Sequence, residues 1–168
     1  MKKILLTGPE SSGKTTLAKA LAHRYNGIWV PEYARLYLEK TAGNYQEEDL
    51  LAIAQGQMAL ENAMSSYQPD FLFCDTGMLV MKTWSEVKYG RCHPWIEAQW
   101  NQSRYDLYLL CGIDIPWQED PLREHPKERE YLYKHYLNAL RKKKVSFLEL
   151  EGSLEARLAC VKPMLLNA

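Results

Sequence analysis

The sequence predicts a three-layer α/β fold with helices on both faces of a five-stranded, mostly parallel sheet. Strand-like and helix-like patterns alternate from one end of the chain to the other, and this alternation is typical of a parallel sheet. The strand-like segments are nearly continuous apolar runs, as expected for strands that are covered on both faces. The chain has 168 residues, a length that suits one domain with a substantial core. We therefore expect a single domain over residues 1–168.

The first half of the chain is predicted to contain three of the strands. Its elements, in order, are a strand at 3–7, a helix at 16–22, a strand at 27–30, helices at 32–40 and 47–67, and a strand at 70–75. Apolar residues at helical spacing predict the helices, and short apolar runs predict the strands. Pro31 closes the second strand and Pro69 ends the long helix, since proline lacks the N–H that both elements use.

The second half is predicted to contain the last two strands, with an irregular segment between them. Its regular elements are helices at 78–87 and 94–101, a strand at 105–111, a helix at 128–143, a strand at 145–150 and a helix at 153–166. His93 and Ser153 each precede a helix, so we expect both to act as caps. Residues 113–126 hold three prolines and alternating charges without periodicity, which is typical of an ordered loop rather than a helix or strand.

A glycine-rich loop follows the first strand and matches the pattern G-x-x-x-x-G-K-[ST] over residues 8–15. Gly8 and Gly13 let the backbone turn sharply, so that consecutive N–H groups can point at a phosphate. Lys14 supplies a positive charge for the terminal phosphates, and Thr15 offers a hydroxyl to Mg²⁺. A helix then begins with its N-terminus towards the phosphate. The strand–loop–helix order favours a nucleoside triphosphate site over a chance glycine-rich turn.

The residues expected to hold the nucleotide come mainly from this loop. They are Gly8, Glu10, Ser11, Ser12, Gly13, Lys14, Thr15 and Thr16. The charge balance of the chain argues against a nucleic-acid partner, because 21 basic and 21 acidic residues leave no formal net charge. The basic run at 141–144 ends a predicted helix, where it complements the helix dipole. We interpret that run as a solvated helix terminus.

The cysteines and the N-terminus predict a reduced, cytoplasmic protein. The four cysteines have no C-x-x-C pair and no metal-ligand spacing. Cys74 and Cys111 fall inside strand patterns, where a thiol acts as a small core side chain. The sequence shows no export signal and no apolar run of membrane length, so we expect no membrane partner. A homo-oligomer is compatible with the sequence.

Two acidic residues are placed to reach the carboxyl edge of the sheet, where open parallel sheets bind ligands. Asp75 ends the third strand, where a carboxylate can hold Mg²⁺ beside the Thr15 hydroxyl; the alternative is a cap for the next helix. Glu32 follows the second strand and can accept the proton of an acceptor hydroxyl. Its alternative is a favourable interaction with a helix dipole. Tyr33 and Arg35 would add an aromatic face and a cation to the acceptor site.

Residues 113–126 are predicted to form a lid that carries Arg123. An arginine on a closing loop can stabilise charge on the transferred phosphoryl group and help to exclude water. We therefore expect Arg123 to be both catalytic and nucleotide-binding; the alternative is that the segment is a solvated connection. Trp84, Tyr89 and Trp117 are candidates for the wall of the acceptor pocket, because flat rings suit a planar or cationic heterocycle. Core packing is the alternative for each ring.

Five motifs, taken in order, resemble the ribosylnicotinamide kinase domain of NadR-type NAD-biosynthesis proteins. They are the loop at 8–15, E-Y-x-R at 32–35, D-T at 75–76, the H-P dipeptide at 93–94, and W-x-x-D-x-L-R at 117–123. The resemblance covers essentially the whole chain. It implies a P-loop kinase fold with strand order 2-3-1-4-5, and it implies Mg-ATP-dependent phosphorylation of the 5′-hydroxyl of nicotinamide riboside.

The resemblance also implies a division of roles among the candidate residues. Lys14 and Thr15, together with Asp75, would organise ATP and Mg²⁺. Glu32 and Arg35 would meet the ribosyl acceptor, and Arg123 would belong to the lid. The expected catalytic residues are thus Lys14, Glu32, Asp75 and Arg123. The expected acceptor-binding residues are Glu32, Tyr33, Arg35, Asp75, Trp84 and Tyr89.

The sequence therefore predicts a small-molecule kinase that is a stand-alone form of this domain, with a nucleoside-like partner. Another nucleoside or nucleotide stays open as the acceptor. A nucleotide-dependent regulatory module is the alternative from a different class. A switch GTPase would need a guanine-binding segment such as N-K-x-D, which the sequence lacks. An AAA-type ATPase would need a larger body with a helical lid domain, for which 168 residues leave little room.

Overall fold

The computed structural model describes residues 1–166, so residues 167–168 of the predicted domain lie outside the described residues. Within that range, five strands form one sheet: β1 (Lys2–Thr7), β2 (Ile28–Val30), β3 (Phe71–Asp75), β4 (Leu107–Cys111) and β5 (Phe147–Leu150). All neighbouring strands are parallel, and their order is β2-β3-β1-β4-β5. The expected sheet and strand order are confirmed.

Seven helices within residues 1–166 connect and flank these strands. They are α1 (Lys14–Arg24), α2 (Tyr33–Lys40), α3 (Glu47–Ser65), α4 (Met78–Tyr89), α5 (Pro94–Gln102), α6 (Arg129–Lys143) and α7 (Leu154–Leu166). The predicted bounds differ by a few residues at the ends. For example, α3 stops at Ser65 because the chain turns before Pro69, with Gln68 at a φ of 51°. None of the seven helices has both the length and the apolar character needed to cross a membrane.

The helices form a layer on each face of the sheet because successive strand residues point to opposite sides. On β1, Ile4 and Leu6 pack with α1 and α7, whereas Leu5 packs with the layer that contains α3, α4, α5 and α6. The same alternation occurs on the neighbouring strands, and it buries Cys74 and Cys111 completely. The strands are therefore covered on both faces, as their apolar composition predicted.

Two predicted caps are confirmed, and one interpretation needs correction. His93 Nδ1 accepts a hydrogen bond from the N–H of Trp95 at 3.1 Å, and Ser153 Oγ accepts one from the N–H of Ala156 at 3.2 Å. The basic run that ends α6 is more than a solvated terminus. The Lys143 ammonium lies over the Trp100 ring, 4.2 Å from its centroid, and donates to the last carbonyl oxygens of α5. The same two carbonyl oxygens, of Trp100 and Asn101, also accept hydrogen bonds from the side chains of Ser103 and Arg104, so Lys143 adds to the capping of α5.

The irregular segment predicted between the fourth strand and the next helix is also present. From residue 112 to 128 the chain forms only turns, bends and irregular stretches. It begins at the carboxyl end of β4 and leads into α6. The position of this segment is important for function, because the carboxyl ends of β1, β2 and β3 meet at the same edge of the sheet.

Candidate functional site

The carboxyl edge of the sheet borders a cavity of about 430 Å³, a volume that suits a small ligand. The glycine-rich loop, residues from α2 and α4, and the 113–126 segment all line it. Twelve of the predicted site residues reach its wall: Gly8, Glu10, Ser11, Ser12, Gly13, Lys14, Thr15, Thr16, Glu32, Arg35, Trp84 and Arg123. The structure thus brings together residues that are far apart in the sequence.

The loop backbone requires glycine at its first position. Gly8 has a φ of 132°, and a Cβ there would lie 2.7 Å from the carbonyl oxygen of Cys111. Within the loop, Ser12 Oγ donates to the carbonyl oxygen of Pro9 at 2.8 Å. Gly13 has a φ of 80° and serves as the N-cap of α1 without any capping side chain. The first N–H groups of α1 therefore stay available to an anion.

Lys14 lies within the curve of this loop. Its ammonium donates to the carbonyl oxygens of Gly8 and Pro9 at 2.9 and 2.7 Å. Thr15 and Thr16 follow on the exposed first turn of α1. A positive charge, two hydroxyls and a helix N-terminus therefore face the same end of the cavity, which is a suitable arrangement for a polyphosphate.

Asp75 lies beneath this end of the cavity rather than on its wall. The residue is 1% exposed, and neither carboxylate oxygen has a hydrogen-bond partner within residues 1–166. It does not cap α4, whose N-cap is Gly77. Burial raises the pKa of Asp75 above its ordinary value, while the neighbouring Thr15 hydroxyl and the Lys14 ammonium lower it in part. The buried charge therefore needs a partner.

The unpartnered carboxylate fits a magnesium ion. Mg²⁺ in phosphoryl-transfer sites typically takes one or two protein oxygens and fills its other positions with phosphate and water. Asp75 and the Thr15 hydroxyl could supply those oxygens. In the described part of the chain, no group of three or more His, Cys, Asp or Glu side chains could hold a metal ion by itself.

Glu32 occupies the N-cap position of α2 but makes no capping hydrogen bond. Its carboxylate faces the cavity, and no described residue forms a hydrogen bond or ion pair with it. Burial raises the pKa of Glu32; the charges of Lys14 and Arg35 lower it in part, and that of Asp75 raises it further. A carboxylate with a raised pKa is a better proton acceptor than an ordinary one.

The two neighbours of Glu32 differ in where they point. Arg35 lines the cavity and forms an ion pair with Asp120 of the 113–126 segment at 2.7 Å. Tyr33 does not line the cavity, contrary to the prediction. Its ring lies against α3, so close that a Cβ on Gly56 would be 2.1 Å from it. Its N–H donates to Gln57 Oε1 at 2.7 Å, which fixes the residue between α2 and α3.

Among the predicted aromatic residues, only Trp84 borders the cavity. Its Nε1 donates to the hydroxyl of Tyr45 at 2.9 Å, and the two rings meet edge to face with centroids 4.9 Å apart. Tyr89 packs against the core at the end of α4 instead. Trp117 lies under the Arg123 guanidinium, with 5.8 Å between guanidinium carbon and ring centroid. The predictions for Tyr89 and Trp117 as cavity walls are therefore not met.

The 113–126 segment contacts the glycine-rich loop directly. Glu10 accepts hydrogen bonds from the N–H groups of Glu124 and His125, and the His125 imidazole lies 3.6 Å from it. Burial by itself raises the pKa of Glu10, but the contacts with His125 and with the backbone N–H groups lower it overall. In turn, the hydrogen bond to Glu10 raises the pKa of His125. Ser11 Oγ also accepts from the N–H of Gln118 at 3.0 Å.

Arg123 is held at the end of this contact. Its guanidinium donates to the carbonyl oxygen of Gln118 and lies 3.5 Å from Ser11 Oγ. The arginine therefore borders the cavity next to the phosphate-binding loop, with no carboxylate as an ion-pair partner in residues 1–166. Such a charge is available to an anionic ligand.

Four further residues of the cavity wall were missed by sequence reasoning: Tyr45, Thr83, Tyr136 and Arg157. Thr83 is 1% exposed, and its hydroxyl lacks a hydrogen-bond partner in the described residues. No sequence signal distinguishes this threonine from a core residue. Arg157 did give a signal, since it shares one stripe of α7 with the apolar residues Val161 and Leu165, and its charge interrupts that otherwise apolar face.

Comparisons with known proteins agree with the fold. The chain is 27% identical over 172 residues to the trifunctional NAD biosynthesis/regulator protein NadR of Salmonella typhimurium, covering 96% of this chain and 42% of the relative. It is 31% identical over 127 residues to the Escherichia coli protein of that name, covering 73% and 31%. The chain thus spans less than half the length of these curated relatives.

Two solved structures share the architecture. A crystal structure of NadR protein in complex with NR superposes with a TM-score of 0.79 at 19% identity, covering 99% of this chain and 52% of that one. Deoxyadenosine kinase from M. mycoides, with dCMP and dCDP bound, superposes with a TM-score of 0.68 at 10% identity, covering 99% of this chain and 100% of that one. The fold is therefore that of P-loop kinases.

A family model described as an AAA domain matches residues 3–157. The match runs from β1 into α7, so it includes the five strands described above and the whole glycine-rich loop. Residues 1–166 contain no separate helical lid domain, the feature that a larger AAA-type ATPase would need. Because the match spans most of its length, this chain belongs to the AAA domain family, with NadR proteins among its relatives.

Proposed function

We propose that this chain is a kinase that transfers the γ-phosphoryl group of ATP to the 5′-hydroxyl of nicotinamide riboside, which yields nicotinamide mononucleotide and ADP. The observation that carries the proposal is the unpaired Glu32 carboxylate, which faces the same cavity as Lys14 of the phosphate-binding loop. A proton acceptor and a polyphosphate site within one cavity suit phosphoryl transfer to an alcohol. The NadR relatives, one of which binds NR in its crystal structure, support the choice of acceptor.

The cavity residues suggest how the transfer would proceed. The loop N–H groups and Lys14 would hold the β- and γ-phosphates, and Glu32 would accept the proton of the attacking hydroxyl. Mg²⁺, held by Asp75 and Thr15, would neutralise charge on the phosphates. Transfer would be in line, so the acceleration would come mainly from positioning and charge neutralisation.

The remaining part of the cavity suits a flat heterocycle. Side chains that are mostly apolar form it: Ala34, Leu38, Val80, Val87, Leu132 and Tyr136. Trp84 and Tyr45 add two rings, and the unpartnered Thr83 hydroxyl offers one hydrogen bond within this apolar wall. A planar, cationic pyridinium with a single polar substituent would match these surroundings.

Residues 113–126 would serve as the lid of this kinase domain. Their contacts with Glu10, Ser11 and Arg35 indicate a closed position over the loop. Closure would exclude water and so limit hydrolysis of ATP.

Replacing Arg123 with alanine is expected to lower kcat about 100-fold and to change the Kd for ATP much less, because the guanidinium meets charge that develops mainly in transfer. Steady-state kinetics and equilibrium ATP binding measure the two quantities. Arg24→Ala, which removes an exposed arginine of α1, is the matched control. An unchanged kcat in the Arg123 variant would mean that the segment is only a connection.

The proposed activity can be tested by coupled ADP release with Mg-ATP and a panel of acceptors. The panel contains nicotinamide riboside, nicotinic acid riboside, the common nucleosides and thiamine. We expect nicotinamide riboside to give the highest kcat/KM, with the mononucleotide confirmed by mass. A higher value for another acceptor would overturn the choice of substrate. ATP hydrolysis that no acceptor stimulates would overturn the kinase assignment and favour a regulatory nucleotide-binding module.

A further inference from the structure

Two arginines from outside the glycine-rich loop hold two successive carbonyl groups of that loop. Arg129, the first residue of α6, donates from Nη2 to the carbonyl oxygen of Ser11 at 2.9 Å. Arg157, on α7, donates from Nη1 to the carbonyl oxygen of Ser12 at 2.6 Å. Neither arginine belongs to the loop motif. Hydrogen bonds from a guanidinium are among the stronger ones in proteins.

These hydrogen bonds determine where the loop N–H groups point. A trans peptide unit is planar, and its C=O and N–H point in opposite directions. Fixing the carbonyls of Ser11 and Ser12 on one side therefore turns the N–H groups of Ser12 and Gly13 to the other side. Neither N–H has an acceptor within residues 1–166. Two free donors next to Lys14 form the kind of concave site that binds a phosphate.

The loop conformation needs such support because part of it is unfavourable. Ser11 has a φ of 54°, in the left-handed region that non-glycine residues rarely adopt. The hydrogen bond from Arg129 acts on the carbonyl of this same residue. Without that bond, Ser11 would be expected to relax to a negative φ, which would turn the next N–H away from the phosphate position.

Arg157 and Arg129 are themselves fixed by further hydrogen bonds. Arg157 is 1% exposed, with Nη2 bonded to Asp114 Oδ1 at 2.8 Å and Nε to the carbonyl of Gly152 at 3.2 Å. Arg129 Nη2 also donates to the carbonyl of Ile115 at 2.9 Å. The same two guanidinium groups therefore join the loop to the first residues of the segment that follows β4.

We propose that Arg129 and Arg157 are positioning residues that hold the loop in its phosphate-binding conformation. They act through the backbone carbonyl groups of Ser11 and Ser12. The proposal rests on the proposed nucleotide site but not on the identity of the acceptor. Its consequence is specific: loss of either arginine weakens the binding of the β- and γ-phosphates and not that of the nucleoside part.

The experiment compares the affinities for ATP and AMP, because both carry the same base and sugar. For Arg157→Met we expect the ratio of the AMP Kd to the ATP Kd to fall about tenfold or more, which is the size expected for a lost hydrogen bond to a charged group. Arg129→Met should act in the same direction. Arg141→Met is the matched control, since it removes an exposed arginine near the end of α6.

The ratio distinguishes positioning from a purely structural role. A variant that is only less stable has fewer folded molecules, which lowers the binding stoichiometry for both ligands but leaves the ratio of their Kd values unchanged. Should Arg157→Met fail to fold, Arg157→Lys and Arg129→Met provide the same comparison. An unchanged ratio in the folded variants would overturn the proposal. If the wild-type chain itself binds ATP no more tightly than AMP, the proposed nucleotide site is wrong instead.

Discussion

Replacement of Lys14 by alanine is expected to lower kcat for phosphoryl transfer about 1,000-fold while the fold stays intact. The ammonium lies within the curve of the loop, where it would neutralise charge on the transferred group, and losing one preorganised charge donor typically costs rates of this order. Its own hydrogen bonds are to two loop carbonyls, so stability should change little. Rapid-quench kinetics under saturating ATP and acceptor measure the chemical step.

The Lys14 variant should also change the pH dependence of the residual activity. The Lys14 charge lowers the pKa of Glu32 and that of Asp75 in part, against the larger effect of burial. Without it, both pKa values rise further, and the acidic limb of the rate profile should move to higher pH. Lys40→Ala removes an exposed lysine from the last turn of α2 and should leave both rate and profile unchanged. Normal turnover by the Lys14 variant would exclude the loop as the phosphate site.

The layers and the edge of the sheet that holds the cavity were predictable because they depend on local patterns. Apolar runs such as that of β3 indicate a strand that is buried on both faces. The spacing of the glycines indicates a backbone that turns around an anion. Glu32 and Asp75 could be placed at one edge since parallel strands end together. The strand order does not follow from local patterns. It was predicted from the resemblance to a family and not from periodicity.

Apart from Arg157, whose charge interrupts an apolar stripe of α7, the site residues that were missed or misplaced depend on tertiary contacts that no local pattern encodes. Tyr33 and Glu32 are neighbours in the chain, yet only Glu32 faces the cavity. The N–H of Tyr33 donates to Gln57 on α3, and its ring packs against Gly56, where only a glycine leaves room for it. Tyr45 lies in the irregular stretch between α2 and α3, and its place in the cavity wall depends on a hydrogen bond from Trp84, nearly forty residues away. Such contacts are visible only once α3 and α4 are packed.

Replacement of Glu32 by glutamine is expected to lower kcat about 100-fold or more, with little change in the Kd for ATP. Glutamine keeps the size of the side chain but cannot accept the proton, and a positioned base typically contributes at least this factor. The wild-type rate should fall as pH drops through the raised pKa of Glu32. The variant should lose this contribution to the acidic limb and keep only that of Asp75. A pH series of kcat with wild type and Glu32→Gln tests both statements. A variant that keeps the wild-type rate would remove Glu32 from the mechanism.

The same substitution should stabilise the fold at neutral pH. Burial raises the pKa of Glu32 in the folded chain above its ordinary value of 4.5. Between pH 4.5 and this raised pKa, the folded chain therefore binds more protons than the unfolded chain. Stability contributed by this group therefore falls as pH rises through that interval. Glutamine has no charge to bury. The gain in free energy of unfolding of Glu32→Gln over wild type should therefore be absent below pH 4.5, grow across the interval and then stay constant. Thermal unfolding from pH 4 to 8 measures this difference, with the exposed Glu48→Gln as control. A gain in stability that accompanies a loss of rate would identify Glu32 as a residue kept for catalysis at a cost to the fold.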